Sequence, residues 1–185
     1  MALHLVILGR QGSGKGTQCA HLVEQYGCIH VSTGDMLRSA RAEGTELGRT
    51  AGELMDRGDL VPDETMNGIV AERLAMSDIV TNGVLLDGFP RTPDQAEALD
   101  AMFVGNGLDM AINIDVPVEV VTERMVARGR KDDTPEGIAR RLELYEQQTS
   151  PLLKWFDAAG KLWVVDGNGS EDEVFARIKD VVDAL

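Results

Sequence analysis

The sequence predicts an α/β fold in which one parallel sheet of five strands carries helices on both faces. Three observations predict it: five short apolar runs, helix-like periodicity in the gaps between them, and a polar, glycine-rich turn after four of the runs. The runs are Leu3 to Leu8, Ile29 to Val31, Val84 to Leu86, Met110 to Val116 and Leu162 to Val165. Because such sheets bind ligands beyond the carboxyl ends of their strands, the polar turns mark the expected site.

Length and composition indicate one domain in a reducing compartment. The chain has 185 residues, of which 43% are hydrophobic, and no repeat or linker divides it. Its apolar runs are far shorter than the roughly 20 residues of a membrane span, and no secretory leader is recognisable. The two cysteines, Cys19 and Cys28, are expected to be reduced thiols. We therefore expect a cytoplasmic protein without membrane attachment.

The charge of the chain argues against a polymeric nucleic acid as a partner. The formal net charge is -13, whereas nucleic-acid binding normally requires a broad basic surface. Six basic residues nevertheless crowd between positions 124 and 141. They are Arg124, Arg128, Arg130, Lys131, Arg140 and Arg141. Cations that converge on one cleft can still hold a small anion such as a nucleotide.

The first glycine-rich turn, Gly9 to Thr17, follows a predicted strand and precedes a helix expected to begin near Lys15. Glycines allow successive backbone N–H groups to surround phosphate oxygens, the helix N-terminus adds its dipole, and Lys15 adds a full charge. The spacing predicts a phosphate-binding loop and a P-loop NTPase-type three-layer fold. The alternative is a glycine-rich turn that binds nothing.

The third turn offers a carboxylate for a metal ion. In most phosphate loops a hydroxyl residue directly follows the lysine, but here Gly16 separates Lys15 from Thr17. A magnesium ion would then depend more on water and on a carboxylate elsewhere. Asp87, at the end of the third predicted strand, is the candidate, and it is expected to hold the ion through a magnesium-bound water. A solvated strand-end carboxylate is the other interpretation.

Three motifs in this order resemble the adenylate kinase family: Lys15-Gly16-Thr17, the segment from Ser32 to Arg38, and the segment from Asp87 to Thr92. The resemblance covers nearly the whole chain. It implies a reversible, Mg²⁺-dependent transfer of the terminal phosphoryl group of ATP to AMP, which gives two ADP, by a monomer. It also implies a single domain with a core of residues 1–31, 62–128 and 135–185, a helical AMP-binding segment over 32–61 and a short lid over 129–134.

The resemblance assigns one group of residues to ATP. The ATP-binding residues are Gly12, Ser13, Gly14, Lys15, Gly16, Thr17, Arg124, Arg128 and Gly169. Within this set Arg124 stacks on the adenine, Arg128 binds phosphate, and the backbone of Gly169 contacts the base. Arg124 and Arg128 lie one helical turn apart, so a surface helix with ion pairs to Glu119 and Glu123 explains their spacing equally well.

A second group is assigned to AMP by the same resemblance. Its members are Thr33, Arg38, Asp59, Leu60, Val61, Gly88, Phe89, Pro90, Arg91, Gln95, Arg130 and Arg141. Gln95 would read the adenine edge, although a solvated helix residue is the plain alternative. The residues expected to act on the transferring phosphoryl group are Lys15, Arg38, Arg91, Arg128, Arg130 and Arg141.

The chain also departs from the family pattern. Its lid is short and lacks the zinc-binding cysteines of longer relatives, so no zinc is expected. Asp132 and Asp133 match an acidic pair that locks such lids, or else form an exposed acidic loop. Arg140 is expected to face solvent. Arg10-Gln11 stands where the family usually has a proline, which leaves the rigidity of the phosphate loop open.

Three other functions fit the sequence less well than phosphoryl transfer to AMP. A UMP or CMP kinase on the same scaffold is disfavoured by Thr33 and Gln95. A GTP-operated switch would carry an Asn-Lys-x-Asp motif for guanine, and the sequence has none. A noncatalytic scaffold is disfavoured because the charged groups needed for phosphoryl transfer are all present.

Overall fold

The computed structural model describes residues 2–57, 59–103, 107–130 and 132–185. Its sheet has five parallel strands in the order β2-β3-β1-β4-β5. The strands are β1 (Leu3–Leu8), β2 (Ile29–Ser32), β3 (Gly83–Asp87), β4 (Met110–Asp115) and β5 (Leu162–Asp166). The predicted five-stranded parallel sheet is confirmed. Four strands differ from the predicted apolar runs by one residue at one or both ends: β2 ends at Ser32, β3 spans Gly83–Asp87 and β5 ends at Asp166. Strand β4 ends at Asp115 rather than Val116, because Pro117 follows and cannot donate to a strand ladder.

Ten α-helices and one π-helical turn occupy the described residues between and after the strands. They are α1 (Lys15–Tyr26), α2 (Thr33–Ala42), α3 (Glu46–Arg57), α4 (Asp63–Leu74), α5 (Ser77–Asn82), α6 (Pro93–Met102), α7 (Val118–Arg128), α8 (Pro135–Leu144), the π-turn (Tyr145–Thr149), α9 (Ser150–Ala158) and α10 (Glu171–Val182). Helix α1 begins at Lys15, as expected. None of the described helices is long and apolar enough to cross a membrane.

The core lies on both faces of the sheet. In β1, Leu5 and Ile7 pack into one hydrophobic cluster, while Val6 and Leu8 pack into another. All four side chains are almost completely buried. Because alternate residues of a strand point to opposite faces, burial on both faces requires the continuous apolar run seen in the sequence. The result is the predicted three-layer arrangement of helices, sheet and helices.

Side-chain caps fix where several helices begin. Ser32, Thr92 and Thr134 each accept a hydrogen bond from a backbone N–H in the first turn of α2, α6 and α8. Ser170 forms a capping box with Glu173 at the start of α10. Three of these caps, at Ser32, Thr92 and Thr134, stand beside polar segments predicted to bind nucleotide.

The segment predicted to bind AMP folds as the helices α2 and α3. The two helices approach so closely that a Cβ at Gly48 would lie 2.1 Å from the carbonyl oxygen of Ala40. Only glycine permits this contact, which makes α2 and α3 one packed unit. Gly58 in this segment and Lys131 in the predicted lid lie outside the described residues.

Candidate active site

The predicted phosphate loop connects β1 to α1 and packs tightly against β4 and α7. Gly9 and Gly12 have φ angles of 141° and 88°. A Cβ at these positions would lie 2.6 Å from the Ile114 carbonyl oxygen and 2.7 Å from that of Val121. The N-terminus of α1 has no side-chain cap, so its backbone N–H groups remain available to an anion.

Lys15 is held over this loop by backbone oxygens. Its Nζ donates to the carbonyl oxygens of Gly9 at 2.8 Å and Arg10 at 3.0 Å. Burial lowers the pKa of Lys15, and the attraction of Asp87 only partly opposes this shift. A phosphate at this point would supply the negative charge that the buried ammonium lacks.

Asp87 lies beside the lysine at the carboxyl end of β3. Burial raises the pKa of Asp87, but His30 and Lys15 lower it by more than burial raises it. The net shift of the Asp87 pKa is therefore downward. The carboxylate is therefore ionised at neutral pH. Among the described residues, one group with metal-ligand chemistry stands out: Cys19, His30 and Asp87 place their ligand atoms within 4.8 Å of one another. Burial raises the pKa of the Cys19 thiol, which leaves Asp87 as the anion of this group.

The predicted arginines converge with Lys15 on one cavity of about 590 Å³, a volume typical of small-molecule sites. Its cationic lining is Lys15, Arg38, Arg91, Arg124, Arg128, Arg130 and Arg141. Burial lowers the pKa of Arg91, and the charges of Arg38 and Arg141 lower it further. The pKa of Arg130 is likewise lowered by burial and by the charges of Arg128 and Arg38. These arginines therefore repel one another across the cavity that they line, and a bound anion would relieve this repulsion.

Two acidic residues of the predicted lid hold arginines from the helices on either side of it, Arg128 in α7 and Arg141 in α8. Asp133 accepts hydrogen bonds from Arg128 at 2.8 and 3.0 Å and from Arg141 at 2.8 Å, and its side chain is fully enclosed. Asp132 also pairs with Arg141. The pair is thus no exposed acidic loop. The surface ion pairs proposed for α7 are absent from the described structure, since Arg128 bonds Asp133 and Arg124 approaches the Ser13 carbonyl oxygen at 3.5 Å.

A second recess adjoins the cavity and carries the residues predicted to bind AMP. Its lining includes Thr33, Arg38, Asp59, Leu60, Val61, Gly88, Arg91, Gln95 and Arg141. Gln95 is only 2% exposed, which contradicts the solvated interpretation. The sequence did not identify Leu37, Met55 and Met66 in this recess, because apolar residues on helices read as ordinary core positions.

Three further predictions concern the Phe89-Pro90 pair, Gly169 and Arg140. Phe89 is 1% exposed and packs in the core, so the recess excludes its side chain; Pro90 lines the larger cavity. Gly169 is exposed and is not among the residues that line either cavity. Arg140 is 42% exposed, as expected of a side chain that faces solvent, and its Nε donates to Asp59 at 3.1 Å. No sequence pattern indicates a contact between residues so far apart in the chain.

The unusual Arg10 ties the phosphate loop to its surroundings. Its guanidinium bonds Glu146 at 2.6 Å and Asp115 at 3.2 Å, and it lies 5.1 Å from the centre of the Tyr145 ring. Ion pairs and a cation–π contact thus restrain the loop where the family usually has a proline nearby. The adjacent Gln11 lines both the cavity and the recess.

A cavity that contains a phosphate loop and shares Arg38, Arg91 and Arg141 with a second recess is the arrangement expected of a nucleoside monophosphate kinase. Comparison with known proteins agrees: the profile of the family "Adenylate kinase" matches residues 7–161. The chain belongs to the adenylate kinase family. The predicted function, phosphoryl transfer from ATP to AMP, is confirmed by this membership.

Curated relatives match over almost the full chain. The adenylate kinase of Parvibaculum lavamentivorans is 45% identical and covers 97% of this chain and 92% of its own length. Adenylate kinase 1 of Synechocystis is 46% identical over 98% of both chains. The adenylate kinase of Streptococcus uberis is 42% identical over 99% of this chain and all of its own.

Proposed function

We propose that the larger cavity holds ATP, that the adjoining recess holds AMP, and that the shared cations surround the phosphoryl group during its transfer. One observation carries this proposal. Arg38 from α2, Arg91 and Arg141 from α8 line both the cavity and the recess, and Lys15 from α1 lines the cavity beside them. Two nucleotides placed end to end would bring their phosphates together there.

On the donor side, backbone N–H groups from Gly12 to Thr17 surround the ATP phosphates, and Lys15 contacts the terminal pair. Arg128 binds the same phosphates, while Arg124 lies beside the base. The uncapped start of α1 and the short distances from Lys15 to the Gly9 and Arg10 carbonyl oxygens support this assignment. Gly169 lies away from the cavity, so a contact with the ATP base would need the segment before α10 to move.

The reaction needs little covalent work from the protein. A phosphate oxygen of AMP attacks the terminal phosphorus of ATP, the new P–O bond forms, and the bond to the β-phosphate oxygen breaks, which leaves ADP on both sides. Arg38, Arg91, Arg130 and Arg141 stabilise the charge spread over the transferring group. Such arginines contribute on the order of 10³ to 10⁵ in rate in other phosphoryl-transfer enzymes.

Asp87 fits the magnesium site that this family requires. Its carboxylate is ionised at the cavity wall, and carboxylates bind magnesium directly or through its water ligands. The ion, when bound with ATP, neutralises phosphate charge. Asp87 would hold the ion directly or through its water ligands, while the nearby charge of Lys15 compensates that of the carboxylate.

The acceptor is AMP rather than UMP or CMP in this proposal. Gln95 and Thr33 are buried in the recess, and Leu37, Met55 and Met66 give it apolar walls suited to a flat base. Asp59 contributes its backbone, because its side chain is paired with Arg57 and Arg140. We further propose a monomeric enzyme of the cytoplasm, in keeping with two buried, unpaired thiols.

One experiment tests the acceptor. Purified protein is mixed with Mg-ATP and, separately, AMP, UMP, CMP or GMP, and diphosphate formation is followed with and without EDTA. We expect rapid conversion of AMP, far slower conversion of the others, and loss of activity in EDTA. Activity with UMP or CMP but not AMP would overturn the proposed acceptor.

A further inference from the structure

The recess holds a carboxamide whose surroundings leave it one orientation. Gln95 lies in the first turn of α6, lines the recess and is 2% exposed. A glutamine amide presents two N–H donors on one side and an oxygen with two lone pairs on the other. Which way it faces decides which groups of a base it can bind.

Two neighbours fix that orientation. The backbone N–H of Arg91 donates to Gln95 Oε1 at 2.7 Å, and Gln95 Nε2 donates to Asp63 Oδ1 at 2.7 Å. A backbone N–H can only donate, and an ionised carboxylate can only accept. Turning the amide over would set donor against donor and acceptor against acceptor in a buried site, where unpaired polar groups are costly.

Asp63 is itself held in place. It is the first residue of α4, and its second oxygen, Oδ2, accepts a hydrogen bond from the Thr92 hydroxyl at 2.9 Å. Thr92 in turn caps α6 by accepting from the N–H of Gln95 at 3.2 Å. Within the described residues Asp63 forms no ion pair. Its carboxylate therefore serves the start of α6 rather than a cation.

We propose that Asp63 is a positioning residue that locks the Gln95 amide in one orientation and so makes the recess selective for bases with an amino group. The inference rests on the proposed binding of AMP in this recess. After the bonds to Arg91 and Asp63, Gln95 retains one Nε2–H donor and one lone pair on Oε1. These match adenine, whose N1 accepts and whose N6 amino group donates.

The same orientation rejects oxo bases. Hypoxanthine and guanine carry an N1–H donor and an O6 acceptor, the reverse of the adenine pattern, so each would face a like group on Gln95. Sites built around specific hydrogen bonds discriminate strongly, because the wrong ligand leaves buried groups unpaired. Cytosine presents the same pattern as adenine, and the locked amide therefore separates amino from oxo bases and leaves base size to the apolar walls.

The test compares AMP with inosine monophosphate, which differs from AMP at the positions that Gln95 reads. In Asp63→Asn the new amide can turn to suit either orientation of Gln95, so that only the Arg91 N–H still favours the original one. We expect the ratio of kcat/KM for AMP over inosine monophosphate to fall about tenfold or more, chiefly through a higher KM for AMP and a lower KM for inosine monophosphate, with kcat for AMP within about twofold.

Asp94→Asn is the matched control. Asp94 precedes Gln95 on α6 and is exposed. The variant removes one carboxylate charge from the start of α6, where Asp63 also bonds, without touching the Gln95 amide. Its selectivity should equal that of the wild type. If Asp63→Asn and Asp94→Asn show the same selectivity while AMP is still phosphorylated, the inference fails and the proposed function stands. If the wild type does not use AMP, the proposed function itself fails.

A measurement on the wild-type chain guards against a variant that folds poorly. One Nε2 proton of Gln95 is bonded to Asp63 in a buried site, whereas Gln148 is exposed. By NMR, the Gln95 proton should exchange with solvent at least about tenfold more slowly than those of Gln148. Equal exchange rates at the two glutamines would overturn the locked orientation.

Discussion

The phosphate loop and the predicted lid with its flanking helices α7 and α8 both place cations at the cavity, but these cations have different partners. Lys15 in the loop rests on backbone carbonyl oxygens, and within the described residues no carboxylate comes within ion-pair distance of it. Arg128 and Arg141 are instead bonded to carboxylates of the lid, chiefly Asp133. The loop therefore presents its charge to an incoming phosphate at once, whereas the lid must exchange one anion for another.

This difference suits the two regions to different tasks. The loop is fixed by close backbone contacts at Gly9 and Gly12, so binding there costs little reorganisation. In the lid, a phosphate that takes Arg128 or Arg141 replaces a carboxylate of the same charge, so the exchange changes the free energy little. If the predicted lid closes over ATP, such an exchange would let it close and open within each turnover, and closure would exclude water.

The largest expected effect comes from removing the charge of the loop. Lys15→Met should lower kcat/KM by about 10³-fold or more, because in the proposed site the amine contacts the phosphates where charge builds up. Burial lowers the pKa of Lys15, so the apolar replacement should leave the melting temperature unchanged or slightly higher. Steady-state kinetics and calorimetry on the same preparation measure both quantities.

The exposed Lys154 provides the control for this variant. Lys154→Met removes the same charge from the surface of α9 and should change neither kinetics nor melting by more than the error. A tenfold or smaller loss of activity in Lys15→Met would break the comparison, since the charge of the loop would then be no more important than that of the lid.

The sequence predicts well what depends on neighbours in the chain. The strand, the glycines and Lys15 of the phosphate loop follow one another, and each has a local physical reason that can be read directly. Asp87 was found in the same way, because the carboxyl ends of parallel strands share one edge. The fold class needed only the apolar runs and the periodicity between them.

Contacts between distant segments could not be predicted in this way. Arg140 bonds Asp59, which lies 81 positions away, and Asp63 bonds Gln95, which lies 32 positions away. Both contacts depend on how helices pack around the recess, and one residue of each pair was predicted with a different partner or with none. The position of Gly169 outside the cavity is likewise a matter of tertiary packing.

A smaller effect is expected from replacing the α8 arginine that contacts the predicted lid with lysine, which keeps the positive charge but changes the geometry of its donors. Arg141 contacts both lid carboxylates, and its Nε is buried without a hydrogen-bond partner among the described residues, which leaves a donor for phosphate. The lysine ammonium has three donors on one nitrogen, but it has no N–H at the position of Nε and cannot reproduce the planar fork of the guanidinium. Arg141→Lys should therefore lower kcat about 100-fold, with KM for ATP changed less, as measured by initial rates.

Arg140→Lys is the control in the next position of the same helix. Arg140 is 42% exposed and its ion pairs with Asp59 and Glu143 are superficial, so lysine should keep kcat within about twofold. Equal losses in the two variants would mean that the shape of the guanidinium matters throughout α8 and has no special role at the position that faces the cavity.

The smallest expected effect concerns the acid sensitivity of the lid and sharpens the comparison with the loop. Burial raises the pKa of Asp133, but the bonds from Arg128 and the Arg130 N–H outweigh it and lower the pKa below its usual value. A group of this kind stabilises the fold above its unfolded pKa and loses the effect as pH falls through the folded pKa, here below about pH 4. Asp133→Asn should therefore melt about 2–4 °C below the wild type at pH 7, and the gap should close towards pH 3.

Asp180→Asn, on the exposed face of α10, should show no such convergence. A constant gap across this range would mean that Asp133 stabilises the lid by packing alone, and its arginines would then meet phosphate without first giving up a charged partner.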